Sequence, residues 1–496
     1  MKKLIFVLFL FCLQTFSVYS QQNVFISGKL KMKPGTTIRF SKYSDNISLD
    51  RVRLSTVKTG IDSCFKTSFN LSTADLVNIS VNELGLEALF YPNRRYSFDL
   101  VSSQDEHVGN LIMITDNPST NPQIILNKAY QVFSDSVLSL LFKQNNQRAS
   151  KSDADLFNSA IDKALKQIKD TFCINLIQSR RIDYLTMSRA VNFASAFNKY
   201  LDCNNLPLTN PAFHFLIYSN FKMYFNLGPP QITRLNLFQG IPDSLHFSNL
   251  MKILSIDPAL KCIPLRESVL LENLYSMIKD GVISPEKGIS LFNEAEVPAT
   301  HPFNRQVAGN LINSISRQLS GTPIPDFNLL FPDGSSHSLS SLKGKPLHIT
   351  FFTLKGIADR TLLDQVSVVE HLADSLGLAN FLCITTDADH DAVKKYWAEK
   401  KYPMQLSFAP DDYEMIDFFN AYAFPSFAIL DSKGRIYTLA PSFPGDQLLK
   451  QLTSLSHSES PKKSDNKNQP IPQHQQNSQY LPGSPRQTYP QKASKK

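Results

Sequence analysis

Residues 323–352 read PIPDFNLLFPDGSSHSLSSLKGKPLHITFF, and residues 353–365 continue TLKGIADRTLLDQ. PLHITFF is an apolar run of strand length, set behind a β-turn at Pro332-Asp333-Gly334. From Asp364 to Leu376 the apolar residues Val366, Val369, Leu372 and Leu376 recur at helical spacing. NFLCITTD then reads as a second apolar strand, DAVKKYWAEK as a helix and SFAILD as a third strand. GRIYTLA is a fourth strand after the turn DSKG, and GDQLLKQLTSL is a closing helix. Strands alternating with helices predict an α/β layer with parallel pairing and a closing antiparallel hairpin.

Upstream the period of the text changes twice. Between 121 and 319 it is helical. Phe157, Ile161, Leu165 and Ile168 share a face behind Asp153; Leu270, Leu274 and Ile278 share another that stops at Gly281; Val307, Leu311 and Ile315 share a third. His214 lies among aromatics with no Asp, Glu or Cys at ligand spacing, which reads as a packed side chain. Between 22 and 115, NVFISGKL, TTIRFSKY, RVRLSTVKT, FKTSFNL, VNISV and YSFDLV are short, β-branched and aromatic, and turn text separates them. They predict a small all-β sandwich or barrel with no catalytic cluster of its own. A chain of 496 residues with 42% hydrophobic content has material for roughly three cores.

The two ends carry different signals. Lys2 and Lys3, the apolar run Leu4 to Leu13 and the small-residue site Val18-Tyr19-Ser20 form a secretory signal peptide over 1–20. Cys12 lies inside the apolar run behind Phe11, which is a poor lipidation site. No later run is long enough to span a membrane. The expected location is therefore the periplasm, with loose envelope association as a variant. The formal net charge is +8, but the Pro/Gln/Ser-rich text of 456–496 carries seven Lys/Arg against Glu459 and Asp465. Such a tail reads as disordered and suited to weak contact with anionic surfaces. The remainder is near neutrality, which argues against a nucleic-acid face.

Six cysteines occur: Cys12, Cys64, Cys173, Cys203, Cys262 and Cys383. None stands in a Cys-x-x-Cys pair or at zinc spacing, so neither a metal nor a cofactor is expected. Cys173, Cys203 and Cys262 share the helical region, where one bridge and three free buried thiols are both open readings. Cys383 has apolar flanks and reads as a packed hydrophobe.

The text from about 321 to 455 resembles the TlpA/ResA-like thioredoxin-fold family. The Pro-Asp-Phe opening, the turn at 332–334 and Ser-Leu-Lys-Gly-Lys before the first buried strand carry the resemblance. A second anchor is AYAFPSFAILDSKGRI, where Pro425 falls on the family's cis-proline. The helical text before it, and a small N-terminal β-domain, also resemble Bacteroidetes-type envelope proteins of this family. The resemblance implies a multidomain chain: a β-domain at 22–115, an all-α region at 121–319 and a thioredoxin-like α/β domain at 321–455.

It breaks at the active site. Aligning Phe351-Phe352 with the strand end puts Lys355 at the family's Trp, Gly356 at the nucleophile and Asp359 at the resolving Cys. Disulfide exchange needs a thiolate at the helix N-terminus and a second thiol one turn on. Gly356 has no side chain, Asp359 exchanges no disulfides, and no Cys occurs between Cys262 and Cys383. The implied function is an exported, redox-inactive thioredoxin-like protein that binds a protein or peptide partner. Phe352, Lys355, Phe424 and Pro425 are its candidate groove residues. The alternative is an envelope thiol–disulfide oxidoreductase that uses cysteines outside the usual motif.

Overall fold

The protein is seen as a computed structural model. It describes residues 23–459 apart from 82–83, 103–110, 117–120, 143–148, 299, 355, 388, 410–413, 420, 422–423 and 440. The segment 1–20 read as a signal peptide, the stretch beyond 459 read as a tail, and Lys355 therefore lie outside the described residues.

The first nine strands are β1 (Asn23–Lys29), β2 (Thr37–Tyr43), β3 (Arg51–Lys58), β4 (Cys64–Asn70), β5 (Asp75–Val81), β6 (Leu84–Phe90), β7 (Arg95–Ser97), β8 (Asp99–Ser102) and β9 (Leu111–Ile114). They form a three-stranded sheet ordered β4-β1-β7, a four-stranded sheet ordered β3-β2-β5-β6, and the pair β8-β9. Alternation drives Val24, Ile26, Ile38, Phe40, Ile79 and Val81 inward, where Phe69, Phe90 and Tyr96 meet at ring distances of 4.9–6.1 Å. Gly28 is needed where β1 passes close to the strand text after β7. A Cβ there would sit 1.6 Å from the Phe98 carbonyl oxygen.

The middle of the chain is helical: α1 (Pro122–Gln131), α2 (Lys151–Leu165), α3 (Thr171–Met187), α4 (Phe193–Tyr200), α5 (Pro211–Phe221), α6 (Phe247–Leu254), α7 (Ile263–Lys279), α8 (Pro285–Ala295) and α9 (Pro302–Gln318), with one-turn helices between them. Their starts are set by side-chain caps. Asn121 accepts from the Gln123 and Ile124 amides ahead of α1, and Ser150 with Asp153 forms a capping box on α2. Phe157, Ile161, Leu270, Leu274, Val307 and Leu311 are fully buried, as their spacing requires. His214 is buried too, its Nε2 2.7 Å from the Leu208 carbonyl oxygen. Of the two open cysteine readings, a bridge is found: Cys203–Cys262, with Cα atoms 5.7 Å apart. Cys173 is free and buried, its thiol pushed up to about 12 by burial and then by Asp170.

The strand-rich and helical parts are joined by the β2–β3 connection. Asp45 organises it by accepting from the Ile47 and Ser48 amides at 2.8 and 2.7 Å. Ile47 then enters the helical core, Asn310 of α9 donates to Asp45 at 2.8 Å, and Arg317 pairs with Asp50.

The C-terminal part is a seven-stranded sheet. Its strands are β10 (Asn328–Leu330), β11 (Ser336–Ser338), β12 (Leu347–Phe352), β13 (Asn380–Thr385), β14 (Gln405–Phe408), β15 (Ser426–Leu430) and β16 (Ile436–Thr438), in the order β11-β10-β14-β13-β12-β15-β16. β12, β13 and β14 are parallel; β15 and β16 close one edge antiparallel. This is the layer that the alternating text predicts. Its helices are α10 (Ile357–Ser375), α11 (His390–Lys400), α12 (Glu414–Phe419) and α13 (Asp446–Glu459). All six residues of β12 are buried. Leu347, Ile349 and Phe351 face one core with Met415 and Phe419 of α12; Phe352 faces another with Leu363, Val366 and Val369 of α10 and Leu448 and Leu452 of α13. Each such side chain contributes roughly 1.5–3 kcal/mol.

Candidate functional site

The site is built around the turn from β12 into α10. Asp387, just past β13, holds that turn from below: its carboxylate accepts from the Thr353 hydroxyl at 2.8 Å, the Leu354 amide at 2.7 Å and the Thr385 hydroxyl at 3.0 Å. α10 starts with Gly356 in extended conformation at the N-cap, which puts Asp359 at the third helical position. The carboxylate folds back over the glycine. A Cβ at 356 would lie 2.1 Å from Asp359 Oδ2, so glycine is the residue that leaves room for it. Asp359 is only 5% exposed, and its Oδ1 has no hydrogen-bond partner among the described residues. Burial raises its carboxyl above the usual range, and the Asp387 charge raises it further. The helix N-terminus opposes both effects.

The other expected residues fall at different depths. Phe352 is fully buried and stacks on Trp397 with ring centres 5.6 Å apart, so it supports the turn from inside the core. Phe424 and Pro425 are half-buried and joined by a cis peptide bond just ahead of β15. Lys355 is outside the described residues. Cys383, opposite Thr350 on the neighbouring strand, is fully buried, and burial pushes its thiol far up. The arrangement at the turn thus offers two carboxyl groups and backbone amides, and no thiolate.

Phe424 also lines a cleft of about 530 Å³ together with Thr386, Ile416 and Asp417. The facing wall is the outer surface of the four-stranded sheet, with Arg39, Arg51, Arg53 and Glu87. Arg53 forms an ion pair with Glu414 of α12 across the mouth. Sequence reasoning missed this wall and missed Asp387. The period-2 arginines Arg51 and Arg53 of RVRLS, with Arg39 in TIRFSKY, were a signal for a charged sheet face, but nothing in the text said what that face would meet.

Comparison with known proteins finds no matching family model and no matching curated protein. Solved structures resemble parts of the chain. A putative thiol-disulfide oxidoreductase from Bacteroides vulgatus matches at 19% identity over 28% of this chain and 99% of that one, with a TM-score of 0.26. A thioredoxin-like protein from Bacteroides caccae matches at 13% identity over 49% of this chain and 92% of that one, with a TM-score of 0.34. A thioredoxin family thiol:disulfide interchange protein from Chlorobium tepidum matches at 22% identity over 27% of this chain and 96% of that one, with a TM-score of 0.24.

Proposed function

We propose that this is an exported thioredoxin-like protein that has lost thiol chemistry and binds a protein or peptide partner at the groove beside Phe424 and Pro425. In this reading 22–115 is a β-domain, 121–319 a helical region and 321–455 the thioredoxin-like domain. The periplasm is its place of work, and the basic tail is free to touch anionic surfaces. No helix among the described residues is long and apolar enough to cross a membrane.

The observation that carries the reading is the turn at 356–359. The side chain that would be a nucleophile is missing, and the space it would need is taken by the Asp359 carboxylate. The nearest thiol in sequence, Cys383, is sealed in the sheet. Insulin reduction with dithiothreitol tests this. The wild-type chain should turn over no faster than buffer. The double substitution Gly356→Cys, Asp359→Cys should close an internal disulfide on mild oxidation and show weak exchange, because the first thiol would sit at a helix N-terminus. Turnover by the wild type would overturn the reading and point to Cys203 and Cys262.

A further inference from the structure

The C-terminal sheet is attached to the rest of the molecule lightly. The N-terminal strands share cores with the helices: Ile47 sits in one helical core, and Leu76 and Leu89 sit in another with Leu126 and Phe157. Among the described residues, no buried apolar cluster takes side chains from both 23–319 and 323–455. A junction without a shared core leaves relative motion as the default. The covalent link is short. α9 ends at Gln318, and the Thr322 hydroxyl donates to the Ser316 carbonyl at 3.0 Å. On the other side, the Gly321 amide donates to the Ile436 carbonyl of β16 at 2.6 Å, and the Ile436 amide donates to the Thr322 carbonyl at 2.8 Å. Within this link Gly321 stands at φ +86°, with open space where a Cβ would be. Such a residue absorbs a change of backbone angle that other residues resist.

The walls of the cleft are tied as well by the Arg53–Glu414 ion pair, whose side chains are 33% and 55% exposed. Pairs this exposed shift an equilibrium constant by at most about fivefold. Between the walls lies a space of about 530 Å³, where two domains with a fixed interface would pack side chains. That space suits a small ligand or a short segment of chain and is too small for a folded domain. Phe424 and Thr386 line one wall, and the outer face of the four-stranded sheet forms the other. The sheet therefore covers the groove beside Phe424 and Pro425, on a hinge and against a weak latch.

We propose that the N-terminal β-domain is a lid on this groove. Rotation about 319–322 breaks the Arg53–Glu414 latch and admits an extended polypeptide; the closed lid keeps one out. The proposal rests on the groove-binding reading above and adds its regulation.

Two measurements on the chain without residues 1–20 test it. Both use a Cys64→Ser background, since Cys173 and Cys383 are buried. In the first, Thr386→Cys on the cleft wall is labelled with a maleimide. Adding Arg53→Gln should speed labelling about two- to fivefold. Raising the salt from about 0.05 to 0.5 M should speed labelling of the parent. Thermal melts check folding. In the second, Arg53→Cys with Glu414→Cys is locked by a short bis-maleimide. Fluorescence anisotropy then reads binding of labelled insulin B chain with its thiols carboxamidomethylated. Locking should weaken binding at least about tenfold, and the same reagent on Arg53→Cys alone should not. Equal labelling rates in the parent and Arg53→Gln would overturn the lid, whatever the protein binds. Gated labelling with equal binding by locked and unlocked protein would also overturn it, because the polypeptide then enters elsewhere. Gated labelling with no binding in either state would leave the lid standing and overturn the groove-binding reading.

Discussion

Asp359 reaches back over Gly356 at the first turn of α10, and it does so against its own solvation. Burial and Asp387 raise its carboxyl, so the folded state holds the proton longer than the unfolded chain does. The stability that goes with the raised value is fully present below the unfolded value of 3.8 and is lost as pH rises through the folded value. Asp359→Asn should therefore be more stable than wild type at neutral pH, and the difference should vanish in acid. Urea melts across the pH range check this, and a difference independent of pH would mean that Asp359 is solvated. His348 has the opposite sign. It lies in β12 between Phe381 and Phe427, at ring distances of 5.0 and 5.7 Å, and neither ring nitrogen has a partner among the described residues. Burial alone pushes it down to about 3. Its contribution is intact above the unfolded value of 6.5 and is lost as pH falls from there towards 3. His348→Leu, close in volume and free of unmet polar atoms, should gain about 1–3 kcal/mol near neutrality and more in mild acid. A loss at both pH values would show that the imidazole has a polar partner after all.

At the scale of elements, apolar runs were the legible part. β12 and β13 are short, almost wholly apolar and buried on both faces, so their type and pairing followed from text alone. The start of α10 did not follow from periodicity. The apolar spacing was read from Asp364, with Val366 first, whereas the helix begins at Ile357, because the first turn is fixed by a glycine cap and a folded-back carboxylate rather than by hydrophobic period; only the resemblance put Gly356 and Asp359 at a helix start. Phe352 read as a groove residue because it ends a strand beside the turn. Sequence gives the order along a strand but not which neighbour covers its last side chain, and here Trp397 of α11 does. Phe352→Ala should cost about 3–5 kcal/mol, the value for a large aromatic cavity, and should blunt the turn above it. Calorimetry measures it; a cost under about 1 kcal/mol would mean the cavity collapses or the ring is peripheral. The bridge from Cys203 to Cys262 closes a separation of 59 residues and pins a surface turn to the first turn of α7. Reduction and alkylation should lower stability by about 4 kcal/mol on loop closure alone, read as a shift in the urea midpoint.

For the molecule as a whole, what text could not supply was the way its parts meet. The arginine face of the N-terminal sheet and the Phe424 side of the C-terminal sheet are more than 300 positions apart in sequence, and each looks like an ordinary solvated surface when read alone. The other junction, between the β2–β3 connection and the helices, carries a titratable group. Glu272 of α7 is pushed up to about 7, chiefly by burial; Lys279 pulls it down and Asp45 of the connection pushes it up. Its folded value lies above the unfolded value of 4.5, so the proton is kept in the folded state through mildly acidic pH. The associated stability is fully present below 4.5 and is lost as pH rises through about 7. Once Glu272 ionises, it repels Asp45, which is the residue that shapes the connection and receives the Asn310 hydrogen bond. Wild type should therefore lose stability between about pH 5 and pH 8, and Glu272→Gln should keep it. The variant's advantage at the upper end should be on the order of 2 kcal/mol after solvent screening. Hydrogen exchange across residues 44–50 gives the local reading: protection should fall with rising pH in wild type and stay level in the variant. If both proteins lose protection alike, the ionisation that loosens this junction belongs to Asp50 or its neighbours, and Glu272 is a bystander.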